Sequence, residues 1–418
     1  MWTAPACFYG TALVSATLTD ATGASTTQAF TVTAGVANCP PRPIQIASVS
    51  TAGVQSNGDS AAPSISADGR YVAFMSYGTA LGAGAPYSQI FVRDVIAGTT
   101  TLVSARSDGT MANSYSYAPS ISGDGRYVAF ASSASNLGVA NATQNTNVFV
   151  RDLQLGTLVN VTAVTGAQYT DSPRLSSDGR HLCFETNVAY DANDTNGDLD
   201  VYWTDLAAGT LVRVSSGQPT GHSGWCSLSA DGGRVSFASN AAFDPADINN
   251  SWDVYARDMH SGQISLMTDG VHTLLDLASA VSSTGQYVAF SSAAPLLGEG
   301  NAVAGSGIYV RDVGTGALRG VSDRTAQTYA YAPAFSSDAT VIAFEGQSAG
   351  LFLVYTRDLT TGTMTLQSTS AAGTRANNSS SYLALSGDGR YVAFDSYATN
   401  LVGGDTNGKS DIFVAPRR

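Results

Sequence analysis

One nine-residue block recurs seven times along this chain of 418 residues. It reads SADGRYVAF at 66–74, and related copies follow at intervals of 50 to 56 residues, at 122–130, 176–184, 229–237, 282–290, 336–344 and 386–394. A fixed period of this length is typical of architectures that stack one supersecondary unit many times. The repeat therefore constrains the fold more strongly than any other feature.

A second block follows the first at a nearly constant distance. It reads QIFVRDVIAGTT at 89–100 and returns in the next five repeats. The seventh copy, DIFVAPRR at 411–418, is shorter and lacks the final strand-like segment. Each repeat thus has the same two halves, and the seventh lacks its last quarter.

Each repeat predicts four short antiparallel strands, because runs of Val, Ile, Leu, Phe, Tyr and Thr alternate with turn residues. In the first repeat we place the strands at 63–66, 70–76, 89–94 and 100–105. Asp-Gly joins the first two, since both residues tolerate positive φ. Glu occurs three times and Lys once, so two strong helix formers are nearly absent. We predict an all-β chain.

Four-stranded units with two apolar faces bury those faces by packing in a ring, as a β-propeller does. The segment PIQIASVSTAG at 43–53 resembles the fourth strand of other repeats, such as TLVRVSSGQ at 210–218. We therefore predict a seven-bladed β-propeller over residues 43–418, with Ile44–Val49 completing the seventh blade.

The repeated SxDGRYVAF block, followed by VFVRDLxTGT, resembles the WD40-like (PD40) propeller repeats of the TolB family. The resemblance covers about residues 43–418 and implies the propeller fold. Propellers of this kind serve as docking platforms, lyases and gating domains of peptidases, so the resemblance implies no single activity.

Residues 1–42 differ from the repeats. GTALVSATLTDATGASTTQAFTVTAG at 10–35 predicts two β-strands around a DATGAS turn, and it resembles the last two strands of bacterial Ig-like domains. We interpret it as a partial Ig-like remnant or a β-hairpin packed on the propeller. Cys7 and Cys39 bracket it and could form a disulfide, whereas we predict Cys183 and Cys226 to be buried thiols.

Composition narrows the function. The net charge is −12, only 12% of residues are charged, and basic patches with interleaved aromatics are absent, which argues against nucleic acid as a partner. No apolar run reaches the ~20 residues of a membrane-spanning helix. We expect a secreted, periplasmic or cell-surface protein. MWTAPACFYG lacks the positive start and long apolar stretch of a signal peptide, so any export signal lies outside this sequence or was never there. The sequence does not define the oligomeric state.

A propeller has one face formed by uniform hairpins and an opposite face formed by longer, variable loops, where binding is usually found. Aromatic side chains lie just before the inner strands on the variable face and are suited to binding a sugar or a peptide side chain. The candidate ligand-binding residues are Tyr115, Tyr117, Tyr169, His222, Trp225, Tyr329, Tyr331 and Tyr382.

Two loops share D-T-N-G-x-x-D, and resemble the calcium loops of integrin-type repeats. DANDTNGDLD at 191–200 and GGDTNGKSD at 403–411 place Asp and Asn oxygens around a sharp turn, as Ca²⁺ requires. A plain Asn-Gly turn would give the same residues. The candidate ligands are Asp194, Asn196, Asp200, Asp405, Asn407 and Asp411.

The function that best fits these features is an exported, non-catalytic binding or scaffold propeller that recognises a protein or glycan on its Tyr-lined face. The alternative is a polysaccharide lyase that acts on uronate-containing glycans. In that case His222 or Tyr169 would abstract the proton next to the uronate carboxylate, and Arg174 would neutralise that carboxylate.

Overall fold

The structure is a computed structural model that describes residues 10–19, 25–34, 42–82, 86–138, 145–163, 169–218, 220–270, 278–294, 296, 305–323 and 326–418. For the first two of these ranges it describes the backbone alone. The chain forms two compact units, Met1–Arg42 and Pro43–Arg418. In the described ranges, no helix has both the length and the apolar character needed to cross a membrane.

The first unit contains a two-stranded antiparallel sheet. Strand β1 (Gly10–Thr19) pairs with β2 (Ser25–Ala34) in a continuous register. The two predicted strands are therefore present. The proposed Cys7–Cys39 disulfide lies outside the described residues.

The second unit is a seven-bladed β-propeller of four-stranded antiparallel sheets. In each blade we name the strands A to D from the inside outward. The strands, in the order A, B, C, D, are β4 (Ser60–Ile65), β5 (Tyr71–Ser76), β6 (Gln89–Asp94) and β7 (Thr99–Leu102) in blade 1; β8 (Ser116–Ile121), β9 (Tyr127–Ser132), β10 (Asn147–Asp152) and β11 (Leu158–Asn160) in blade 2; β12 (Thr170–Leu175), β13 (His181–Thr186), β14 (Asp200–Asp205) and β15 (Thr210–Arg213) in blade 3; β16 (Ser223–Leu228), β17 (Arg234–Ser239), β18 (Asp253–Asp258) and β19 (Ile264–Leu266) in blade 4; β20 (Ser279–Val281), β21 (Tyr287–Ser292), β22 (Gly307–Asp312) and β23 (Leu318–Gly320) in blade 5; β24 (Ala330–Phe335), β25 (Val341–Ser348), β26 (Leu351–Asp358) and β27 (Met364–Leu366) in blade 6; and β28 (Ser380–Leu385), β29 (Tyr391–Ser396), β30 (Asp411–Pro416) and β3 (Gln45–Ile46) in blade 7. A single 3₁₀ turn, Thr79–Leu81, is described between strands of blade 1.

The ring is closed by the start of the propeller unit. Strand β3 pairs antiparallel with β30, with Gln45 opposite Val414 and Ile46 opposite Phe413. Each A strand contacts the A strand of the next blade, and β28 contacts β4. The predicted closure by Ile44–Val49 is therefore confirmed.

The Phe that ends each nine-residue block lies in the hydrophobic core. In all seven blades it is fully buried and lies directly opposite an aromatic residue of strand C, with ring centroids 5.6 to 6.2 Å apart. Such rings bury the largest apolar areas of any side chains and stabilise the packing between blades. The pairs are Phe74–Phe91, Phe130–Phe149, Phe184–Tyr202, Phe237–Tyr255, Phe290–Tyr309, Phe344–Tyr355 and Phe394–Phe413.

The Asp-Gly-Arg turn links the A–B hairpin of a blade to its C–D hairpin. In blade 1, Asp68 Oδ1 accepts hydrogen bonds from the Ser66 hydroxyl (2.7 Å) and the Arg70 amide (2.9 Å). Gly69 takes φ = +68°, and the Arg70 guanidinium reaches Asp94 at 2.7 Å. The same ion pair recurs in blades 2 and 3 as Arg126–Asp152 and Arg180–Asp205, and in blade 4 Arg234, one position later in the repeat, pairs with Asp258.

The Arg of the Arg-Asp pair in strand C links neighbouring blades. Arg151 donates to the carbonyl of Val103 at 3.2 Å, Arg257 to that of Val214 at 2.7 Å and Arg357 to that of Val321 at 2.6 Å. Each acceptor belongs to the blade before. Both halves of the repeated sequence thus have structural roles.

A disulfide joins blades 3 and 4. Cys183 in strand B of blade 3 and Cys226 in strand A of blade 4 are bonded, with their Cα atoms 6.4 Å apart. The prediction that they are buried thiols was wrong: both are buried, but they face each other across the blade interface, within the reach of a disulfide. Their separation by 43 residues gave no sign of this contact.

Candidate functional site

The two faces of the propeller differ in what they expose. The A strands surround the central channel. Strands A begin and strands B end at one face of the propeller, and we call this the mouth face. The A–B and C–D turns form the opposite face, which we call the hairpin face. The site is built from residues at the mouth face.

Exposed aromatic side chains are confined to the mouth face within the part of the chain that the structure describes. Each lies just before strand A, in the first half of strand A, or just after strand B. They are Tyr77, Tyr115, Tyr169, Trp225, Tyr329, Tyr331, Tyr382 and Tyr397, with 37 to 64% of each exposed. Solvent-exposed aromatic groups that cluster on one face are typical of a binding surface.

Several of these rings are held by neighbours. Tyr329 stacks on Tyr331 with centroids 6.1 Å apart. Trp225 meets the edge of Trp252 at 5.2 Å. Such pairing stiffens the surface before any ligand arrives.

Tyr115 and Tyr117 differ in exposure although they lie close in sequence. Tyr115 is exposed and meets the edge of Tyr87 at 4.9 Å. Tyr117 is half-buried and its hydroxyl lies 3.2 Å from that of Thr146, while burial raises the pKa of Tyr117 to about 12. Tyr115 is therefore available to a ligand, and Tyr117 supports the wall beneath it.

Sequence reasoning missed Tyr77, Tyr397 and Trp252. Tyr77 and Tyr397 directly follow strand B in blades 1 and 7, a position at the mouth face by topology. A comparison of that position across the repeats would have identified Tyr77 and Tyr397.

A β-bulge shapes strand A in six blades. One non-glycine residue there adopts a left-handed conformation, with φ between 48° and 53°. Such a conformation costs roughly 1 kcal/mol and persists only where surrounding contacts hold it. The residues are Ala62, Ala118, Ser172, Trp225, Ala332 and Tyr382. Only blades 4 and 7 place an aromatic side chain at this position.

Three carboxylates of strand B hold bulges of the following blade. Glu185 Oε1 accepts a hydrogen bond from the Trp225 amide at 2.7 Å, and Glu345 Oε1 accepts one from the Tyr382 amide at 2.5 Å. Asp395 Oδ2 accepts one from the Ala62 amide at 3.4 Å. Two exposed aromatic residues are thus positioned by buried or half-buried acids.

These acids are unusual in their protonation. Burial raises the pKa of Glu345 to about 7 and that of Asp395 to about 7, and the two carboxyls repel each other when charged. Burial likewise raises the pKa of Glu185. The sequence pointed to Glu185 and Glu345 as unusual, because the chain contains only one other Glu.

Blade 3 carries a polar cluster in the channel wall. The Tyr169 hydroxyl donates to Asp171 Oδ2, and the charges of Asp171 and Glu185 both act on Arg174. The Arg174 side chain keeps solvent-accessible surface, but neighbouring protein atoms displace much of its water. This desolvation lowers the pKa of Arg174. Burial and the bond to Asp171 raise the pKa of Tyr169 far above its usual value. The structure therefore brings Tyr169 and Arg174 together around one carboxylate.

His222 interacts with the preceding loop. It is exposed; its Nδ1 accepts a hydrogen bond from the Leu199 amide at 3.3 Å, and its Nε2 lies 3.3 Å from Asp198 Oδ1. None of its described contacts involves Tyr169 or Arg174.

The two predicted calcium loops differ. In blade 3, Arg213 reaches Asp194 at 3.3 Å and Asp200 at 3.5 Å, while Asn196 accepts the Asp198 amide at 2.9 Å. In blade 7 the Asn407 amide group donates to Asp411 at 2.6 Å, and Asp405 is buried. Among described residues, no three of His, Cys, Asp or Glu gather into a ready-made metal centre.

A cavity of about 450 Å³ lies on the hairpin face between blades 5 and 6. Tyr287, Asp312, Arg319 and Asp338 are among the residues that line it. It lies at the opposite end of the blades from the exposed aromatic residues and adds nothing to that site.

Comparisons with known proteins support the fold. No protein-family model matches the sequence, and no curated protein matches it. An oligogalacturonate lyase in complex with manganese is similar in structure with a TM-score of 0.59, 13% identity and coverage of 98% of both chains. The β-propeller domain of the Trilobed protease from Pyrococcus furiosus gives a TM-score of 0.55 and 14% identity, covering 85% of this chain and 92% of that one.

TolB from Acinetobacter baumannii is also similar, with a TM-score of 0.44 and 16% identity. The match covers 70% of this chain and 64% of the TolB chain. The lyase and the protease domain share the propeller fold, so the fold alone does not select between their activities.

Proposed function

We propose that this propeller is a non-catalytic binding module that recognises its ligand with the aromatic residues of the mouth face. The observation that carries the proposal is the confinement of the exposed aromatic side chains to that face among the described residues. Tyr and Trp supply large, stiff contact areas that lose little conformational entropy on binding, which is why they dominate binding hot spots.

Of the two ligand classes that suit such a surface, charge favours a polypeptide with Lys or Arg side chains over an acidic glycan. Asp171, Glu185, Glu345 and Asp395 lie at or near the channel mouth, and because burial raises the pKa of each, a bound cation would favour their charged forms. The net charge of −12 acts in the same direction at long range. A cationic side chain would also gain from contact with Tyr and Trp faces.

The disulfide between Cys183 and Cys226 supports an exported protein. Disulfides persist in oxidising compartments and are rare in the reducing cytosol. We therefore propose a secreted, periplasmic or cell-surface location.

A lyase acting on uronate-containing glycans is the second candidate. The favouring observation is that Tyr169 and Arg174 lie beside the same residue, Asp171. Against it, Asp171 and Glu185 already interact electrostatically with Arg174, which leaves less of its charge to bind a uronate. The raised pKa of Tyr169 also leaves its hydroxyl protonated at neutral pH, which makes it a poor base.

Binding to peptide and glycan arrays, together with an ultraviolet assay for unsaturated uronides, separates the candidates. We expect basic peptides to bind, acidic peptides of the same length not to bind, and no uronide to be released from acidic polysaccharides. Uronide release that is lost in Arg174→Ala would overturn the binding proposal in favour of the lyase. Selective binding of a glycan would overturn the choice of ligand class.

A further inference from the structure

The loop between strands B and C has the same layout in blades 3, 4 and 7. An Asp is followed two residues later by Asn, three residues later by a residue with positive φ, and six residues later by the Asp that opens strand C. A hydroxyl just after strand D donates to that last Asp in each blade, from Ser215, Thr268 and Ser48. The chain thus contains three versions of one loop, whose first acids are Asp194, Asp247 and Asp405.

The first acid is hydrogen-bonded by a tyrosine in two versions. In blade 3 the hydroxyl of Tyr202 donates to Asp194 at 2.7 Å, and in blade 4 the hydroxyl of Tyr255 donates to Asp247. The equivalent residue in blade 7 is Phe413, which has no hydroxyl.

The arginine that pairs with the loop acids in blade 3 also has no counterpart at the same position in blade 7. Arg213 lies opposite Tyr202 in the sheet and reaches both loop acids of blade 3 within 3.5 Å. The residue opposite Phe413 is Ile46, which is apolar. Blade 7 therefore has the acids of blade 3 without that arginine, although Lys409 lies in the same loop.

One oxygen of Asp405 is left unsatisfied, while the backbone amide of Asn407 hydrogen-bonds the carboxyl. Asp405 is only 9% exposed, and its Oδ1 has no hydrogen-bond partner among the described residues. The nearby acids Asp411, which is fully buried, and Asp59 add negative charge. A buried carboxylate oxygen with neither a donor nor a cation beside it is strongly unfavourable.

We propose that the blade 7 loop, residues 403–411, binds one divalent cation of the Ca²⁺ class through Asp405. Hard cations accept carboxylate, amide and main-chain oxygens together with water, so the site does not need three clustered acids. Asn407 and Asp411 supply the other side-chain oxygens. In blade 3 the Arg213 guanidinium takes the place of the cation.

The location gives the cation a role in closing the ring. Gln55 donates to the Gly404 carbonyl at 3.0 Å, Asn407 to the Ser56 carbonyl at 3.0 Å, and Ser48 to Asp411 at 2.5 Å. The loop is therefore hydrogen-bonded to residues 48–56, which follow β3. A bound cation would stabilise the seam between the two ends of the propeller.

Calorimetric titration of chelator-treated protein with Ca²⁺ and with Mg²⁺, paired with thermal melts, tests this site. We expect one Ca²⁺ per chain, a rise in melting temperature on binding, and loss of both in Asp405→Asn. Phe413→Tyr adds the hydroxyl that Tyr202 provides in blade 3, so it should weaken Ca²⁺ binding at least tenfold while the protein stays folded. The matched control, Asp194→Asn in blade 3, should keep wild-type stoichiometry and affinity.

Two results would overturn the assignment. One is a folded wild-type protein that neither binds Ca²⁺ or Mg²⁺ nor changes its melting temperature when chelator is added. The other is binding that survives Asp405→Asn and disappears in Asp194→Asn, which would place the cation in blade 3.

Discussion

Gly69 of blade 1 packs against the ring of Tyr391 of blade 7, so closely that a Cβ atom on Gly69 would lie 2.5 Å from Tyr391 Cδ2. The same contact recurs between Gly125 and Tyr71 and between Gly179 and Tyr127. The Gly of each Asp-Gly turn thus fits over the first residue of strand B in the preceding blade. The contact explains why the block repeats as a unit: its turn and its strand are complementary surfaces of neighbouring blades.

Gly69→Ala should therefore destabilise the protein more than its backbone conformation alone predicts. Positive φ costs about 1 kcal/mol for Ala, and the clash with Tyr391 adds about 1 to 3 kcal/mol. Gly53→Ala is the matched control, since Gly53 has φ = +79° and no atom lies within 4 Å of the position that an added Cβ would take. Denaturant unfolding of both variants measures the difference, and equal losses would contradict the packing argument.

Ile44→Ala tests closure of the ring. Ile44 is 8% exposed and packs in the core shared by blades 6 and 7. Its partners there, from Val341 to Ala415, lie far from it in sequence. We expect a loss of about 2 kcal/mol in the free energy of unfolding. Val54→Ala, at a residue that is 55% exposed, should change it little. An unaffected Ile44→Ala variant would show that this segment does not complete blade 7 in solution.

The disulfide should contribute measurably to stability. Replacing both Cys183 and Cys226 by Ser should lower the free energy of unfolding by about 2 to 4 kcal/mol, because the cross-link restricts the unfolded chain. A reductant should lower the stability of the wild-type protein and leave the double variant unchanged. Unfolding curves with and without reductant measure this, and a variant as stable as the oxidised wild type would contradict it.

Stability should also depend on pH through Glu345. Burial raises its pKa from 4.5 to about 7, so the folded protein holds this proton more tightly than the unfolded chain does. The resulting stabilisation is complete below about pH 4 and is lost as the pH rises through about 7.

Glu345→Gln should remove this dependence while keeping an oxygen that accepts the Tyr382 amide. We expect the variant to be more stable than wild type at about pH 8, by on the order of 2 kcal/mol, and no more stable at about pH 4. Urea unfolding across that range measures it. Asp108→Asn, at an exposed carboxylate, serves as the control. Parallel profiles for wild type and Glu345→Gln would contradict the raised pKa.

The fold was predictable because its signals are local and repeated. Asp68-Gly69 and its copies mark each hairpin, and the resemblance of 43–53 to other D strands indicated the closure. Contacts across blade interfaces were not predictable in the same way. Cys183 and Cys226 lie 43 residues apart, and only the three-dimensional packing shows that they face each other.

The site was predicted in part. The repeat register placed Tyr115, Tyr329 and Tyr382 at the mouth face, because position in a propeller follows from position in the repeat. It did not show that Glu185 and Glu345 hold the bulges that carry Trp225 and Tyr382. Those bonds depend on left-handed backbone turns that the sequence does not reveal, since Ala takes the same conformation elsewhere.

The most direct test of the proposed function is the affinity of the tightest-binding basic peptide for a double variant, Trp225→Ala with Tyr382→Ala. Ala occupies the same left-handed position in three other blades, so these changes should leave the bulges intact. The control is Ile96→Ala with Leu155→Ala, at exposed apolar residues in C–D turns of the hairpin face. Calorimetry should show a Kd at least about tenfold weaker for the aromatic variant and unchanged for the control. An unchanged Kd in the aromatic variant, or an equal loss in the control, would contradict the account.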